Sequence, residues 1–169
     1  MNSYPELPEK TPEHDKLQLW CVKACLEIAR AMARQINYVV GRYALRVDEV
    51  HKCEATLEHT LQLQYYSATY HLDVLLKCHA GLIGERDKHY NEMIEMGLEC
   101  KPRIYSFGDT LRQVRRYQKW GAPNMMAIVS PDTRFEADFR QQKVAFINPD
   151  LFPSWTGVPV QQPLFFPKT

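Results

Sequence analysis

The first strongly patterned stretch of the chain repeats apolar side chains every third or fourth position, which is the spacing of one face of an α-helix. Its members are Leu17, Trp20, Cys21, Ala24, Ile28, Ala31 and Met32. Thr11, Pro12 and Glu13 form a helix start, because threonine caps free backbone N–H groups and proline fits the first turn. The pattern predicts a helix from residue 12 to about Val40, where Gly41 ends or bends it.

A second stretch of helical spacing begins near Ala44 and continues through Val47, Val50, Ala55 or Leu57, Leu61, Tyr65, Ala68, Leu72 and Leu75. No proline lies between residues 13 and 101, and Gly81 and Gly84 are the only expected breaks before Gly97. The spacing predicts either one very long helix or two helices that meet near Gly81. Gly97 predicts the end of a helix, and Pro102, which follows Lys101, supports that end.

The C-terminal third predicts shorter elements. Ser106 followed by Asp109 resembles a capping box and predicts a short helix from about Phe107 to Trp120. The apolar run 125–129 is typical of a strand or a buried turn. The sequence 130–132 starts another helix, which is expected to end near Gln142.

The predicted fold is mainly α: an antiparallel bundle of two or three long helices, with a short-helix C-terminal cap and a Pro-rich extended tail. We divide the chain into a disordered leader (1–11), a helical domain (12–148) and the Pro-rich tail (149–169), which contains Pro149, Pro153, Pro159, Pro163 and Pro167. The tail carries large apolar residues that a disordered segment rarely has. It therefore either packs back on the bundle or docks on another protein through Trp155, Leu164, Phe165 and Phe166.

Composition excludes more than it selects. The 169 residues include 21 Lys and Arg against 20 Asp and Glu, a formal charge of +1, so a dedicated DNA-binding protein is not expected. The chain has five cysteines, and its first residues do not have the pattern of a signal peptide. No apolar run is long enough to predict a membrane span. We expect reduced thiols and a cytoplasmic protein, with the nucleus as the alternative.

Sequence motifs for cofactors and metals are absent. The seven glycines form no phosphate-binding loop, and no C-x-x-C occurs. The histidine pairs His51/His59 and His71/His79 are eight residues apart, which on a helix is about 12 Å and too far to share one zinc ion. We therefore predict no cofactor and no metal.

Arg46 and His51 form an R-x4-H motif. The motif resembles that of HEPN-domain ribonucleases, which are small helical bundles that act as dimers. The resemblance implies that Arg46 stabilises phosphate charge and that His51 transfers protons. The alternative is a solvated helix face on which Arg46 pairs with Glu49 or Glu54.

A basic face is expected on the predicted helix after residue 106. Side chains at positions i, i+3, i+4 and i+7 share one side of a helix, and here they are Arg112, Arg115, Arg116 and Lys119. Trp120 lies in the same segment. Basic and aromatic residues in alternation suit RNA or an acidic protein partner. The alternative is a solvated amphipathic helix whose Leu111 and Val114 pack inward.

Four segments together resemble the bag-of-marbles family of germline differentiation factors and their mammalian counterparts, over about residues 45–155. They are Leu57-Glu58-His59, the stretch from Gly84 to Gly97, the stretch from Arg115 to Pro123, and the stretch from Ile147 to Pro153. The resemblance implies a non-enzymatic adaptor in translational repression and germ cell differentiation. Its partner would be a helicase-like RNA-binding protein.

From these observations we predict a non-enzymatic adaptor in mRNA regulation that binds a protein partner, and RNA directly or through that partner. Its contacts would be the basic face with Trp120, and the tail residues named above. Membrane association is not expected. Two alternatives stay open: a HEPN-like ribonuclease that uses Arg46 and His51, and a structural subunit of a larger helical assembly.

Overall fold

The computed structural model describes residues 11–62, 69–119, 123 and 125–156. Its helices and strands are, in chain order, α1 (Pro12–Lys23), α2 (Cys25–Gln35), β1 (Tyr38–Val40), β2 (Tyr43–Gln62), β3 (Thr69–Ile83), β4 (His89–Cys100), α3 (Phe107–Lys119), β5 (Met125–Val129), α4 (Glu136–Gln141) and β6 (Ala145–Ile147). Single 3-10 turns lie at Glu85–Asp87, Thr133–Phe135, Pro149–Leu151 and Pro153–Trp155. The prediction of a helical bundle is therefore wrong.

The centre of the fold is a six-stranded sheet in the order β1-β2-β3-β4-β5-β6. The first four strands run antiparallel as a meander, whereas β4, β5 and β6 run parallel. Parallel neighbours need a crossover connection, which α3 provides between β4 and β5 and α4 provides between β5 and β6. The sheet thus changes from antiparallel to parallel at β4.

Within the stretch 44–97, predicted as long helices, the described residues form the three long strands β2, β3 and β4 instead. Alternation is visible in β3, where one face buries Val74, Leu76, Cys78, Ala80 and Leu82. Leu72 and Leu75 are also buried, but they pack in the cluster on the opposite face. Because Val74, Leu75 and Leu76 are buried in succession, the two-residue alternation is interrupted at this end of β3, and Leu72 and Leu75 also match a helical period.

Helices cover both faces of the sheet. On one face, α1 and α2 contribute the fully buried Trp20, Ile28 and Met32. On the other, α3 and α4 contribute Val114 and Phe139. Each such side chain stabilises the fold by about 1.5–3 kcal/mol through the removal of apolar surface from water. The sheet is therefore the middle layer of three.

The predicted N-terminal helix starts as expected but is shorter and divided. The Thr11 hydroxyl accepts a hydrogen bond from the His14 backbone N–H at 3.2 Å, which confirms the cap. Ala24 interrupts the helix, and α2 ends at Gln35 rather than near Val40. Val39 and Val40 belong to β1 instead, since β-branched residues favour strands, and Gly41 takes the positive φ of the turn into β2.

The C-terminal predictions are closer to the structure. The helix predicted from Phe107 is α3, and the run 125–129 is a buried strand. The beginning of the tail packs back on α1: the Trp155 ring lies 5.6 Å from that of Trp20, which also donates a hydrogen bond to Ser154. Leu164, Phe165 and Phe166 lie outside the described residues. Within the described part of the chain, no helix has the length and apolar character to cross a bilayer.

Candidate functional site

The candidate site lies where β3 leaves β4. The two strands pair up to Val74 and Leu98, whereas β4 continues to pair with β5 through Glu99 and Cys100. Continuation of the register places Asp73 opposite Glu99. The carboxyl ends of the parallel strands β4 and β5 meet at the same edge, and ligands of α/β sheets commonly bind there.

Asp73 is the first acidic residue of the site, and three donors hold its carboxylate. Oδ2 accepts the backbone N–H of Cys100 at 2.7 Å and Nε2 of His14 at 3.2 Å. Oδ1 accepts the Gln18 amide at 3.0 Å. Two of these donors come from α1, so the helix and both strands fix the position of one carboxylate.

Glu99 is the second acidic residue, and only 3% of its surface is exposed. Its Oε1 accepts hydrogen bonds from Nζ of Lys101 at 2.8 Å and from the Gln113 amide at 2.7 Å. Its Oε2 is buried and has no hydrogen-bond partner. Burial, and next the negative charge of Asp73, raise the pKa of Glu99 to about 7.

Lys101 completes a group that we call the carboxylate–lysine cluster: Asp73, Glu99 and Lys101. Burial lowers the pKa of Lys101, but the charge and hydrogen bond of Glu99 outweigh it, so the net pKa lies above the ordinary value. The side chain is therefore an ammonium ion at neutral pH. Asp73, Lys101 and His14 keep between 16% and 22% of their side-chain surfaces exposed, so solvent reaches this end of the cluster.

Helix α3 supports the cluster from the other side of the sheet. The Gln113 amide that binds Glu99 also donates to the Tyr117 hydroxyl at 2.8 Å. That hydroxyl donates to the backbone carbonyl of His71 at 2.8 Å. Burial raises the pKa of Tyr117, so its proton stays in place. A chain of hydrogen bonds thus connects Glu99 to β3 through two residues one helical turn apart.

The cluster has the character of an incomplete cation site. Two carboxylates lie close together in a desolvated place, and one buried oxygen has no donor. Among the residues that the structure describes, however, no three His, Cys, Asp or Glu side chains form a full set of metal ligands. This donor set fits Mg²⁺, which takes one or two carboxylates and completes its shell with water and substrate phosphate.

The structure places the predicted R-x4-H pair elsewhere and on a different element. Arg46 and His51 both lie on strand β2, not on a helix, and both are exposed. Arg46 lies 3.8 Å from Asp48, and His51 lies 3.7 Å from Glu49. Arg46 pairs with Ile83, at the end of β3 opposite to the cluster.

The predicted basic face lies on α3 as expected: Arg112, Arg115, Arg116 and Lys119 are exposed. Arg112 pairs with Asp109, and Arg115 donates hydrogen bonds to Gln118 and to the backbone carbonyl of Gln142. Trp120 lies outside the described residues. The opposite side of the same helix supplies Gln113 to the candidate site.

Sequence reasoning missed the carboxylate–lysine cluster. Asp73 interrupts an otherwise apolar run, 72–76, and Glu99 and Lys101 end another run that contains Ile94, Met96 and Leu98. A charged residue within a strand that is otherwise buried needs a partner or a function. That signal is readable in the sequence, but only once these runs are recognised as strands.

Comparisons of the chain with models of protein families, with curated proteins and with solved structures found no match. The chemistry of the cluster therefore has to be derived from its own residues.

Proposed function

We propose that the chain is a divalent-cation-dependent phosphodiesterase that cleaves nucleic acid at the carboxylate–lysine cluster. The observation that carries this proposal is the unpartnered Oε2 of Glu99, a buried carboxylate oxygen beside a second carboxylate and a lysine. A structure that buries such an oxygen without a donor bears a cost of about 1–3 kcal/mol. A cation at this place removes that cost.

Asp73 and Glu99 are the residues that would hold the cation. Each carboxylate is already oriented by protein donors, so little freedom is lost on binding. A divalent ion bound there stabilises charge on phosphate oxygens and lowers the pKa of a water molecule to which it is bound. The limited donor set of the chain leaves room for those phosphate oxygens.

Lys101 is suited to hold charge rather than to take a proton. Its ammonium group lies 2.8 Å from Glu99 and is partly exposed toward solvent. Because its pKa is raised, it donates hydrogen bonds to an attacking water or to the phosphate and does not act as a general base. In the hydrolysis, water attacks phosphorus, the P–O bond to the leaving group breaks, and the leaving oxygen gains the proton that the attacking water loses.

The flanking charge favours a phosphodiester polymer as substrate. Arg103 follows the cluster after β4, and Arg134 follows β5, beside an open cleft of about 490 Å³ lined by Pro102, Arg103, Pro131, Asp132 and Arg134. Cationic groups beside a reacting phosphate hold its neighbouring phosphates in place. A single small phosphate ester offers no such neighbours.

The test is cleavage of labelled single-stranded and duplex DNA and RNA by the purified chain, with Mg²⁺, with Mn²⁺ or with EDTA. We expect metal-dependent cleavage that falls about 100-fold or more in Asp73→Asn, Glu99→Gln and Lys101→Met. The matched control is Glu95→Gln combined with Lys77→Met, an exposed carboxylate–lysine pair 3.9 Å apart on the same two strands. This control should cleave like the wild type.

Two results would overturn the proposal. One is the absence of metal-dependent cleavage of every substrate by a folded wild-type chain. The other is cleavage that survives Glu99→Gln at the wild-type rate, which would indicate a contaminating nuclease. Circular dichroism on each variant confirms that the fold is kept.

A protein-interaction role in mRNA regulation is a second proposal, favoured by the exposed arginines Arg112, Arg115 and Arg116 on α3. The resemblance to bag-of-marbles and the expectation of a non-enzymatic protein stay predictions. Affinity purification with and without RNase, compared with Arg115→Glu/Arg116→Glu, tests this role. A cytoplasmic location is part of the proposal and is supported by five free cysteines.

A further inference from the structure

The loop after Lys101 presents an aromatic ring to solvent beside the candidate site. Tyr105 is 85% exposed, more than any other large hydrophobic residue in the described part of the chain. The Arg103 guanidinium lies 5.4 Å from the centre of its ring, within the range of a cation–π contact. Tyr105 follows Lys101 by four positions, so the two backbones are within about 14 Å of one another.

The ring is exposed although the backbone that carries it is firmly held. Ile104 is fully buried between Arg103 and Tyr105. Its N–H donates to Oδ2 of Asp132 at 2.9 Å, and its carbonyl accepts from Arg134 at 2.8 Å. Asp132 and Arg134 pair with one another at 2.7 Å. An aromatic side chain presented from such an anchored loop loses little freedom when a ligand covers it.

The surroundings of the ring are basic. Arg103 and Arg134 line the open cleft beside this loop. Asp132 of that cleft pairs with Arg134 and accepts the Ile104 N–H, so the net positive charge of the lining side chains comes from Arg103. An anionic backbone therefore meets positive charge next to an exposed π face.

We propose that Tyr105 and Arg103 form a stacking site for one unpaired base of a single-stranded nucleic acid, adjacent to the cleaved phosphate. This inference rests on the proposed phosphodiesterase function and names the form of its substrate. A base offers its face to a protein ring only when it is not stacked within a duplex, whereas a phosphate contact does not distinguish the two. The platform therefore selects single strands without reading their sequence.

The test measures binding of the full chain in EDTA, where no cleavage occurs, by fluorescence anisotropy. The probes are a labelled oligothymidylate, an abasic strand of the same length and charge, and a blunt hairpin duplex. We expect Tyr105→Ala to weaken binding of oligothymidylate about 5- to 100-fold, the value of one stacked base, and to leave the abasic strand and the duplex unchanged. Tyr105→Phe, which keeps the ring, should bind like the wild type.

The matched control is Tyr90→Ala, because Tyr90 is another exposed tyrosine with a cation, Lys88, 5.8 Å from its ring centre. It lies near the beginning of β4, away from Lys101. This variant should bind all three probes as the wild type does. Arg103→Ala should weaken all three, since it removes a charge as well as a stacking partner.

The inference is overturned if the wild type does not bind oligothymidylate, if Tyr105→Ala binds it unchanged, or if the loss is equal for the abasic strand. If Tyr105→Ala weakens binding as expected but no metal-dependent cleavage is found, the stacking site is supported and the phosphodiesterase proposal is wrong. If the chain cleaves nucleic acid but Tyr105→Ala does not change binding, the phosphodiesterase proposal is supported and the stacking site is wrong.

Discussion

The backbone N–H of Cys100 donates a 2.7 Å hydrogen bond to Oδ2 of Asp73, at the point where β3 and β4 separate. The ladder between the two strands ends one pair earlier, at Val74 and Leu98. The carboxylate thus replaces a backbone acceptor for a strand that is completely buried at Cys100. The Asp73 side chain therefore satisfies a backbone N–H at the end of the strand pairing and also belongs to the candidate site.

This double role predicts that Asp73→Ala and Asp73→Asn differ in their effect on stability. Asp73→Ala leaves the buried Cys100 N–H without its acceptor, and we expect a loss of about 1–3 kcal/mol in the free energy of unfolding. Asp73→Asn keeps an oxygen at that place and should lose less. Urea denaturation gives both values. Equal stability of the two variants would contradict the role of this hydrogen bond, whereas loss of cleavage is expected in both.

Glu99 predicts a specific pH dependence of stability in the metal-free protein. The folded chain holds this proton up to about pH 7, while the unfolded chain releases it near pH 4.5. The folded state therefore binds more protons between these values, so the free energy of unfolding falls as pH rises from 4.5 to 7. The contribution of this one group is at most about 3 to 4 kcal/mol.

The variant Glu99→Gln removes that contribution together with the effect of the Glu99 charge, which helps to raise the pKa values of His14 and Lys101. We expect the difference in unfolding free energy between wild type and variant to change across pH 4.5–7 in EDTA, with the wild type losing stability as pH rises. Denaturation at several pH values measures it. Parallel curves for the two proteins would mean that the pKa of Glu99 is not raised.

Elements that depend on residues close together in the sequence were predicted correctly, whereas those that depend on contacts between distant residues were not. The start of α1 at Thr11 and the helix beginning at Phe107 follow from capping residues and local spacing, and both predictions are confirmed. In β3 the helix prediction failed because Val74, Leu75 and Leu76 are buried in succession, which interrupts the two-residue alternation of a strand. Local periodicity cannot separate the two structures in such a stretch.

The candidate site is harder to predict than the fold, because its parts meet only through the sheet register. Asp73 and Glu99 face one another because Val74 pairs with Leu98, and His14 joins them from the first helix. No local spacing contains that information. One signal in the sequence was Glu99-Cys100-Lys101, where two charged residues stand at the end of an apolar run.

The hydrogen-bond chain through α3 predicts a graded effect on activity. Tyr117→Phe removes the acceptor for the Gln113 amide and the donor to the His71 carbonyl. We expect a loss of about 1 kcal/mol in stability and a reduction of cleavage that is smaller than in Glu99→Gln, because Gln113 still reaches Glu99. Steady-state cleavage and thermal melting measure the two effects. Tyr43→Phe, on an exposed tyrosine of β2, is the control and should change neither.

Gly97 predicts a packing constraint directly beside the site. Gly97 pairs with Met126 of β5, and an added Cβ would overlap the Met126 sulfur and lie 3.1 Å from Leu72. Both neighbours are fully buried, so they have little room to move. We expect Gly97→Ala to lower the free energy of unfolding by about 1–3 kcal/mol through overpacking.

Two further variants separate this steric effect from a general intolerance of alanine in the strands. Gly81→Ala on β3 meets its nearest atoms at 3.7 Å, an ordinary contact, and should be tolerated. Met126→Val shortens the clashing side chain, so the double variant with Gly97→Ala should be more stable than the sum of the two single effects predicts, by about 0.5 kcal/mol or more. Chemical denaturation of the four proteins tests this coupling. Strict additivity would show that Met126 is not what makes alanine costly at position 97, and the close approach of β4 to β5 beside Glu99 would then need another cause.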